Sequence, residues 1–435
     1  MTNRVALEEL LIGSINTGLD AIRRAPIVAH KTEQRCLRIQ DISNSKPFTE
    51  WGFTETKETD YEKYRLRTDD IIMARTCSTG ICYLVKNDMS AVFNNGLARI
   101  RVDKSRTDPS FLYYIFKSKQ FESYIDGISG GTSVQLNMKV GDLAKFEFSV
   151  PKLSTQKAIA HILGTLDDKI ELNQKMNQTL EEIAKAIFKS WFVDFDPVRA
   201  KAEGRPTGLP PEISDLFPDE LVDSEIGEIP EGWDVVPFSD TFEFLSGGTP
   251  KTSIPDYWNG GVPWFSIADL NTSSPWVTET EKSITELGLS KCSAKRIQRG
   301  TTIITARGTV GKVALAAQDM AINQSCYAMK VPNDHLFGWL YLQTLSLVDL
   351  LKANAHGSVF DTITRKTFEQ FHVAMPHNSV MKSFHDATGS MFDRMLIADK
   401  ENSSLKALRD TLLPKLISGE LRIPDAENFL EEAGI

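Results

Sequence analysis

The amino-acid sequence predicts an α+β protein: two mixed α/β domains separated by two long antiparallel coiled-coil helices, arranged as a pseudo-two-fold internal repeat. Two observations lead to this fold class. Four sequence blocks occur twice, in the same order, about 225–232 residues apart. Each copy is followed by a segment whose apolar residues have the alternating four- and three-residue spacing of a coiled coil. We therefore expect one domain-plus-helix unit that is present twice.

The repeat is visible in short β-like stretches and in the turns between them. The matching pairs are Arg38–Ser43 with Phe265–Leu270, Ile71–Ile81 with Ile303–Val313, Phe111–Ile115 with Phe337–Leu342, and Gly131–Pro151 with His356–Pro376. In the second pair this alignment places Arg75 on Arg307, because an Ala-Arg dipeptide occurs in both. Each copy is predicted to form a mixed α+β domain of about 120–140 residues.

The segments that follow Pro151 and Pro376 are predicted to be long helices that pair with each other. Their seam positions are Leu166, Ile170, Asn173, Asn177, Leu180, Ala184, Ile187 and Trp191 in the first copy, and Met391, Met395, Ala398, Asn402, Leu405, Arg409, Leu412 and Leu416 in the second. Asn177 and Asn402 are equivalent, and a seam asparagine fixes register and partner number at some cost in stability. The alternative is that each helix packs separately on its own domain.

These features divide the chain into six segments. Residues 1–25 are expected to be an N-terminal helical segment, 26–151 the first domain, 152–195 the first long helix, 196–235 a linker, 236–376 the second domain, and 377–435 the second long helix and a tail. The linker is rich in Pro, Gly and acidic residues and has little periodicity, which predicts an extended connector.

The charge distribution leaves nucleic-acid binding open. The net charge is −9, but residues 194–240 hold 3 basic and 13 acidic residues, so the rest of the chain has 46 and 45. Residues 26–151 carry 18 basic and 16 acidic groups, so DNA affinity would need a local basic face or a basic partner. The five cysteines form no CxxC pair, which is typical of a reduced, cytoplasmic protein. All apolar runs are shorter than the roughly 18 residues of a membrane span.

The sequence has no recognisable catalytic motif. Ile303–Val313 has two glycines and a lysine, but it lacks the spacing of a phosphate-binding loop. An Asn/Asp-Pro-Pro-aromatic loop for a flipped adenine is absent, as are HExxH and GxSxG. The sequence therefore predicts a protein that is not an enzyme by itself and that holds no cofactor or metal of its own.

Three stretches resemble the specificity subunit of type I restriction-modification systems. Leu172–Pro210 is similar to that family's central conserved region, Leu405–Ile423 to its distal conserved helix, and Ser246–Leu270 to the opening of one of its target recognition domains. The first half has no clear copy of the Gly-Gly-Thr-Pro opening, so the start of the first recognition domain is less well defined by this resemblance.

The resemblance implies a non-catalytic DNA-recognition subunit located in the cytoplasm. Each domain would read one half of a bipartite, asymmetric site in double-stranded DNA, and the helices would separate the domains and dock two methyltransferase subunits. Those partners would bind S-adenosylmethionine, flip an adenine and methylate N6. Restriction subunits with ATP- and Mg-dependent translocase and nuclease activity would complete the complex.

Two other functions remain possible from the residues. One is the recognition portion of a fused restriction-methylation enzyme, although the absence of a methyltransferase loop weighs against it. The other is a protein-binding scaffold built on the coiled coil, which predicts no affinity for duplex DNA even when partners are supplied.

Base readout requires Arg or Lys for guanine and Asn or Gln for adenine, on loops that reach a groove. The candidates are Arg75, Thr76, Ser78, Ser133, Gln135 and Asn137 in the first domain, and Arg307, Thr309, Lys312, Ser358 and Arg365 in the second. Residues shared by both copies, such as the two arginines of Ala-Arg, are better explained by phosphate contact or structural support than by base contact. Positions that differ between the copies, such as Gln135 and Phe360, are better specificity candidates.

Ten seam residues are predicted to carry helix pairing or partner contact. They are Leu166, Ile170, Asn177, Leu180, Ile187, Trp191, Asn402, Leu405, Leu412 and Leu416. The aromatic stretch Ala186–Phe195 has two interpretations of equal weight: it caps the helix pair as core, or it is a landing site for a methyltransferase subunit.

Overall fold

The computed structural model describes residues 3–128, 137–270, 273–354 and 363–432. The chain divides into two compact units, and both boundaries fall within a long helix: residues 1–169 and 405–435 form the first unit, and residues 170–404 form the second. The sequence candidates Ser133, Gln135 and Ser358 lie outside the described residues.

The first unit contains a small α/β domain and one end of each long helix. Its strands are β1 (Asn3–Ala6), β2 (Asn16–Thr17), β3 (Ile27–Val28), β4 (Gln34–Leu37), β5 (Gly52–Thr54), β6 (Ile71–Ala74), β7 (Cys82–Leu84), β8 (Ala91–Phe93), β9 (Leu97–Ile100) and β10 (Glu147–Val150). Its short helices are α1 (Ile39–Ser43), α2 (Glu58–Tyr64), α3 (Pro109–Ile115), α4 (Lys119–Ile128) and α5 (Val140–Ala144). Two four-stranded sheets, ordered β2-β9-β6-β7 and β3-β5-β4-β8, hold the core, and β1 pairs with β10.

The long helix α6 (Leu153–Phe192) leads into the second unit. The elements that follow are α7 (Asp196–Ala202), α8 (Pro211–Ser214), β11 (Leu221–Ser224), β12 (Gly227–Pro230), β13 (Asp234–Pro237), β14 (Glu243–Ser246), β15 (Trp258–Phe265), β16 (Trp276–Val277), β17 (Lys282–Ile284), α9 (Glu286–Ser290), β18 (Thr302–Thr305), β19 (Val313–Ala316), β20 (Ala321–Ile322), β21 (Cys326–Lys330), α10 (Phe337–Asn354), α11 (Arg365–Glu369) and β22 (His372–Met375). The chain ends with the second long helix, α12 (Asn378–Ser418), and with α13 (Ile423–Glu432).

The two domains share one strand arrangement, which confirms the predicted fold class and internal repeat. The sheets of the second are ordered β14-β21-β18-β19-β16 and β17-β15-β20, and β13 pairs with β22. The central antiparallel pairs β6·β9 and β18·β21 correspond. So do the parallel pairs β4·β8 and β15·β20. The buried apolar residues of these strands form the core of each domain.

The expectation of a helical segment over residues 1–25 is wrong. The segment instead contains β1, which pairs with β10 as β13 pairs with β22, and β2, which pairs with β9 as β14 pairs with β21. Strands of 4 and 2 residues are too short to show a period of their own. Their partner strands lie far away in the sequence, so no neighbouring pattern reveals the pairing.

The first domain also has a counterpart of the Gly-Gly-Thr-Pro opening of the second domain, which its sequence did not show. The Gly18 amide donates to Leu97 at 3.1 Å, as the Gly247 amide donates to Cys326 at 3.3 Å. A Cβ atom at Gly18 would lie 2.3 Å from the Phe93 carbonyl oxygen. A Cβ at Gly247 would lie 1.9 Å from that of Asn323. Close backbone approach therefore requires glycine at both places, and only this one residue of the opening is shared.

The segment between the copies is folded and is not the extended connector that its composition predicts. It forms α7, α8 and the β11–β12 hairpin. Val198, Phe217 and Trp233 are buried in the core of the second unit, and Ile229 is buried as well. The Lys201 ammonium donates to the Phe217 carbonyl at 2.6 Å, which fastens α7 to the chain after α8. Val198 lies on α7 and Ile229 on β12, whereas Phe217 and Trp233 lie between elements, so these buried residues follow no common period.

Within each unit, α6 and α12 run antiparallel and pair. In the second unit Asn173 of α6 donates its amide to the Asn402 oxygen at 3.0 Å, and Asn177 donates to Asp399 at 2.9 Å. In the first unit the Arg409 guanidinium donates to Asp167 at 2.6 Å. Since residue numbers rise on one helix as they fall on the other, the helices have opposite directions.

Candidate nucleic-acid interface

In the first domain, polar side chains meet where β6 ends. The Arg75 amide donates to the Gly96 carbonyl at 3.0 Å, and the Asn94 amide donates to Leu37 at 3.2 Å. These bonds bring the turn after β6, the β8–β9 turn and the end of β4 together. The half-buried Arg75 guanidinium also donates to the Asn95 carbonyl and to Asn137 Oδ1, both at 3.3 Å. We name this surface, made by Arg75–Ser78, Asn94–Gly96 and Asn137, the first edge.

The second domain has the same surface with different side chains. The Ala306 amide donates to the Ser325 carbonyl at 2.8 Å, and the Asn323 amide donates to Phe265 at 2.9 Å. The Gln324 side chain accepts from Thr249. We name the surface formed by Ala306–Lys312 and Asn323–Ser325 the second edge.

The backbone shows that the Ala-Arg alignment is displaced by one residue. Gly80 donates to the Ala74 carbonyl at 2.9 Å, and Gly311 donates to that of Thr305 at 2.8 Å. This relation places Arg75 on Ala306 and Thr76 on Arg307. Residues 77 and 308 then coincide, and both have positive φ, 61° at Cys77 and 74° at Gly308. The two arginines are therefore not equivalent. The preference for phosphate contact or structural support, which rested on their being shared, does not apply to Arg307.

The candidate side chains differ in their exposure and in their hydrogen bonds to other residues. Arg307, Thr309 and Lys312 are exposed, and the guanidinium of Arg307 and the ammonium of Lys312 have no hydrogen bond or ion pair within the described residues. Thr76 and Ser78 are half-buried, and Thr76 forms an isolated antiparallel bridge with Asn137. Arg365 begins α11 and pairs with Glu369 at 3.1 Å, one turn along the same helix.

Met138 in the first domain and Ile363 in the second bond the two edges at equivalent places. The Met138 amide donates to the Arg75 carbonyl at 2.8 Å, and the Ile363 amide donates to that of Ala306 at 3.0 Å. Ser133, Gln135 and Ser358 precede these residues in the sequence and lie outside the described residues. Asn94, Asn95 and Gln324 also lie on the edges but were not among the residues predicted from the sequence. Asn-Asn-Gly between two β-like runs is a strong hairpin-turn signal that could have indicated the first two.

The seam positions of the long helices face protein, and all sixteen are buried or half-buried. Leu166 and Ile170 lie on α6, and Leu405, Leu412 and Leu416 lie on α12, all among the buried residues. Asn402 bonds Asn173, whereas its repeat equivalent Asn177 bonds the carboxylate of Asp399. The equivalent residues Asn177 and Asn402 therefore do not bond each other.

The aromatic end of α6 is core, one of the two interpretations that the sequence left open. Trp191 and Phe192 are buried and pack on Phe384 of α12 with ring-centroid distances of 5.9 and 5.0 Å. Trp191 also contacts Phe217 at 5.2 Å. Leu180 and Ile187 pack at the margin of the same cluster. These rings are covered by the chain itself.

In the first unit the helix pair meets the domain through an ionic cluster. Asp167 accepts from Arg409 at 2.6 Å, from the Tyr114 hydroxyl at 3.0 Å and from Lys117 at 3.3 Å. Burial by itself would raise the pKa of Asp167, but Lys117 and Arg409 outweigh it and hold that pKa below the ordinary value. Burial, followed by the neighbouring Asp167 carboxylate, raises the pKa of Tyr114.

Across the described residues, no group of three or more His, Cys, Asp or Glu side chains is arranged to hold a metal ion. No helix among the same residues has both the length and the hydropathy needed to cross a membrane.

Known proteins are similar to this chain. The sequence model of the type I restriction modification DNA specificity domain matches residues 36–182 and 230–381. The chain is 30% identical over 359 residues to the HindI type I restriction enzyme specificity subunit of Haemophilus influenzae, covering 72% of this chain and 77% of that protein. It is 26% identical over 359 residues to the MjaIX specificity subunit of Methanocaldococcus jannaschii, covering 82% and 78%.

A solved structure has the same fold. The type I restriction-modification system S subunit from M. genitalium superposes with a TM-score of 0.54 and 16% identity, over 96% of each chain. The family's sequence model covers more than half of this chain, once in each copy of the repeat. On this evidence the chain belongs to the type I restriction-modification DNA specificity family.

Proposed function

We propose that this chain is the DNA sequence-specificity subunit of a type I restriction-modification complex, and that its two domains read the halves of one bipartite, asymmetric site. The observation that carries the proposal is the pair of edges. They have the same backbone hydrogen bonds at equivalent places in the repeat, and they present different polar side chains. Two equal frames with unlike side chains suit two unlike half-sites.

The second edge is suited to direct base readout. Arg307 and Lys312 are exposed. Within the described residues, the guanidinium of Arg307 and the ammonium of Lys312 form no hydrogen bond or ion pair, so both can bind a ligand. A guanidinium can bind O6 and N7 of guanine in the major groove with two hydrogen bonds. In the first edge the amides of Asn95 and Asn137 are suited to adenine, while Arg75 holds the turns in place.

The outer faces of the long helices are proposed to dock two methyltransferase subunits. Leu172 of α6 and Ile397 of α12 occupy equivalent repeat positions, and 61% and 55% of their surfaces are exposed. Matching apolar residues on both helices suit two copies of one partner. The partners would carry the chemistry: S-adenosylmethionine for adenine-N6 methylation, and ATP with Mg on restriction subunits. We place the assembled complex in the cytoplasm.

The test is a methylome. This chain is expressed together with its methyltransferase subunit in a host that lacks DNA methylation, and the host genome is sequenced with modified-base detection. We expect N6-methyladenine at one motif split by a fixed run of unspecified bases. The methyltransferase without this chain is the control and should leave the genome unmodified.

A soluble, stable complex of the two proteins with an unmethylated genome would contradict the proposal and favour the protein-binding scaffold. Methylation by this chain without any partner would contradict the non-catalytic role and favour a fused enzyme.

A further inference from the structure

One exposed position carries the same chemical group on both edges. Asn95 lies in the β8–β9 turn and Gln324 in the β20–β21 turn, and both side chains are exposed and end in a carboxamide. Two further equivalent pairs at the turns after β6 and β18 are exposed in both domains and share no functional group: Cys77 with Gly308, and Ile81 with Lys312. The carboxamide is therefore an exception between two edges whose exposed side chains otherwise differ.

The bonds that define the two edges place Asn95 and Gln324 at equivalent points. The residue after Asn95 is Gly96, whose carbonyl accepts an amide from the turn after β6. The residue after Gln324 is Ser325, whose carbonyl accepts an amide from the turn after β18 in the same way. The shared group thus belongs to one position of the folded repeat.

The turns do not need these two carboxamides for their own structure. The preceding residue is an asparagine in both domains, Asn94 and Asn323, and both are half-buried. The Asn323 side chain accepts from the Ser325 amide at 2.9 Å and so helps to hold its turn. The Asn95 side chain forms no hydrogen bond within the described residues. A group that both domains present and neither fold requires suits a ligand feature that is common to both half-sites.

The amino group of the carboxamide is the part that both domains offer. The Gln324 Oε1 oxygen accepts from the Thr249 hydroxyl, and within the described residues the Gln324 amino group forms no hydrogen bond. Asn95 can use either end of its carboxamide, so a contact common to both domains is a donation from the amino group. In the major groove such a donor matches O4 of thymine, and it is mismatched with the N4 amino group of cytosine.

The half-sites of the proposed function share one base pair, whatever their other bases are. Both are modified by methyltransferase subunits of one kind, so each contains an A·T pair whose adenine is methylated at N6. That adenine leaves the helix during the reaction. The thymine opposite it stays in the helix and presents O4 as its acceptor in the major groove.

We propose that Asn95 and Gln324 each donate a hydrogen bond to O4 of the thymine opposite the methylated adenine, one in each half-site. The inference rests on the proposed function, because it requires both edges to lie in the major groove. It goes further in assigning one atom of both half-sites to one position of the repeat. The remaining side chains of each edge are then left to read the bases that differ. The bond also gives the thymine a partner for O4 after its adenine has left.

The test uses the complex with the methyltransferase subunits and the DNA site obtained from the methylome. Opposite one methylated adenine at a time, the duplexes carry either thymine or 5-methyl-2-pyrimidinone, which lacks O4. The affinities of wild type, Asn95→Ala and Gln324→Ala for these duplexes form double-mutant cycles, in which the effect of the analogue on base pairing cancels. Removal of O4 should weaken wild-type binding about fivefold more than binding of Asn95→Ala at one half-site, and of Gln324→Ala at the other, which is the usual net effect of one hydrogen bond.

Gln318→Ala is the matched control. Gln318 is an exposed carboxamide of the same domain as Gln324, beyond the end of β19 that is farther from the second edge. Its amino group donates to the Thr278 carbonyl at 3.0 Å. This variant should lose as much affinity as wild type when either O4 is removed, and so show no coupling with either thymine.

The outcomes separate the inference from the function on which it rests. If the wild-type complex binds and methylates both half-sites, but the two variants do not each couple with a different thymine, the shared contact is disproved and the proposed function stands. If the wild-type complex leaves the genome unmethylated, the proposed function itself fails.

Discussion

The turn after β6 and the turn after β18 have the same backbone and different side chains. Gly80 closes one turn and Gly311 the other with equivalent hydrogen bonds, and the turns accept a further amide from Met138 and from Ile363 respectively. Yet Arg75 spans two neighbouring segments of the first edge, whereas Ala306 occupies its place and Arg307 points its charge outward one residue later. Backbone bonds thus maintain the frame, and the side chains are free to differ.

The junctions between domain and helices differ in the same way. In the first unit Tyr114 contacts the ionic cluster of Asp167, Lys117 and Arg409. In the second unit Tyr341 packs on Phe392 at a ring distance of 5.9 Å. Phe392 is the repeat equivalent of Asp167, since β10 and β22 lead into α6 and α12 at the same offset. The Tyr341 hydroxyl also donates to Glu181 of α6 at 2.7 Å, so each junction contains a hydrogen bond from a tyrosine to a carboxylate. The second junction is apolar only at the position where the first has Asp167 and its two cations.

The largest expected effect comes from breaking the apolar junction. Phe392→Ala removes a fully buried ring that also packs on Phe337 at 5.4 Å. We expect the free energy of unfolding to fall by about 3–5 kcal/mol, the usual range for a buried phenylalanine. Urea denaturation followed by tryptophan fluorescence measures it. A loss below about 1 kcal/mol would show that this junction is not packed as described.

The second effect concerns the unlike edges. Arg307→Ala should weaken discrimination at one base position of one half-site by about 1–3 kcal/mol while leaving the other half-site unchanged. Lys312→Ala should instead weaken binding to all sequences by a similar factor and reduce its salt dependence. Competition binding with single-base variants of the site distinguishes the two. A uniform loss with Arg307→Ala would assign Arg307 to phosphate contact.

A smaller effect is expected at the ionic junction, and it depends on pH. Asp167→Asn removes the charge that Lys117 and Arg409 face, and should lower the free energy of unfolding by about 1–2 kcal/mol because the cluster is partly open to solvent. The folded pKa of Asp167 is lowered, so its stabilisation is complete well above 3.8, the ordinary aspartate value, and is lost as the pH falls below it. Wild type and variant should therefore converge in acid.

The neighbouring aspartate supplies the control for this prediction. Asp168 pairs with Lys86 at 2.8 Å, and both side chains are largely exposed. Asp168→Asn should change stability little, because exposed ion pairs contribute little. An equal loss in the two variants, or a difference that persists at low pH, would exclude the proposed role of the buried charge.

The smallest effect tests the shared turn. Cys77 has φ 61° where the equivalent Gly308 has φ 74°. Left-handed backbone is strained for a side chain with a Cβ and unstrained for glycine. Cys77→Gly should therefore raise the melting temperature, corresponding to at most about 1 kcal/mol. Gly308→Cys should lower it. Matched changes of opposite sign would show that the turns are equivalent, and a fall in both would show that they are not.

The long-range repeat and the helix spacing were sufficient to predict the fold class, because both depend on patterns that extend over many residues. The seam residues of α6 and α12 could be predicted in the same way, since coiled-coil packing follows sequence spacing. The absence of catalytic motifs and the resemblance of three stretches were also enough to identify the family, which the comparisons confirm.

Tertiary structure alone decided the features that depend on pairing between distant segments. The strand character of residues 3–6 comes from β10, and the buried residues of the supposed linker acquire their core only from α6 and the second domain. The shared Ala-Arg dipeptide could not give the correct alignment of Arg75 with the second domain. Few side chains match between the copies, so a shift of one residue does not show in the sequence. The backbone hydrogen bonds resolve it, since a one-residue displacement of a strand changes every partner.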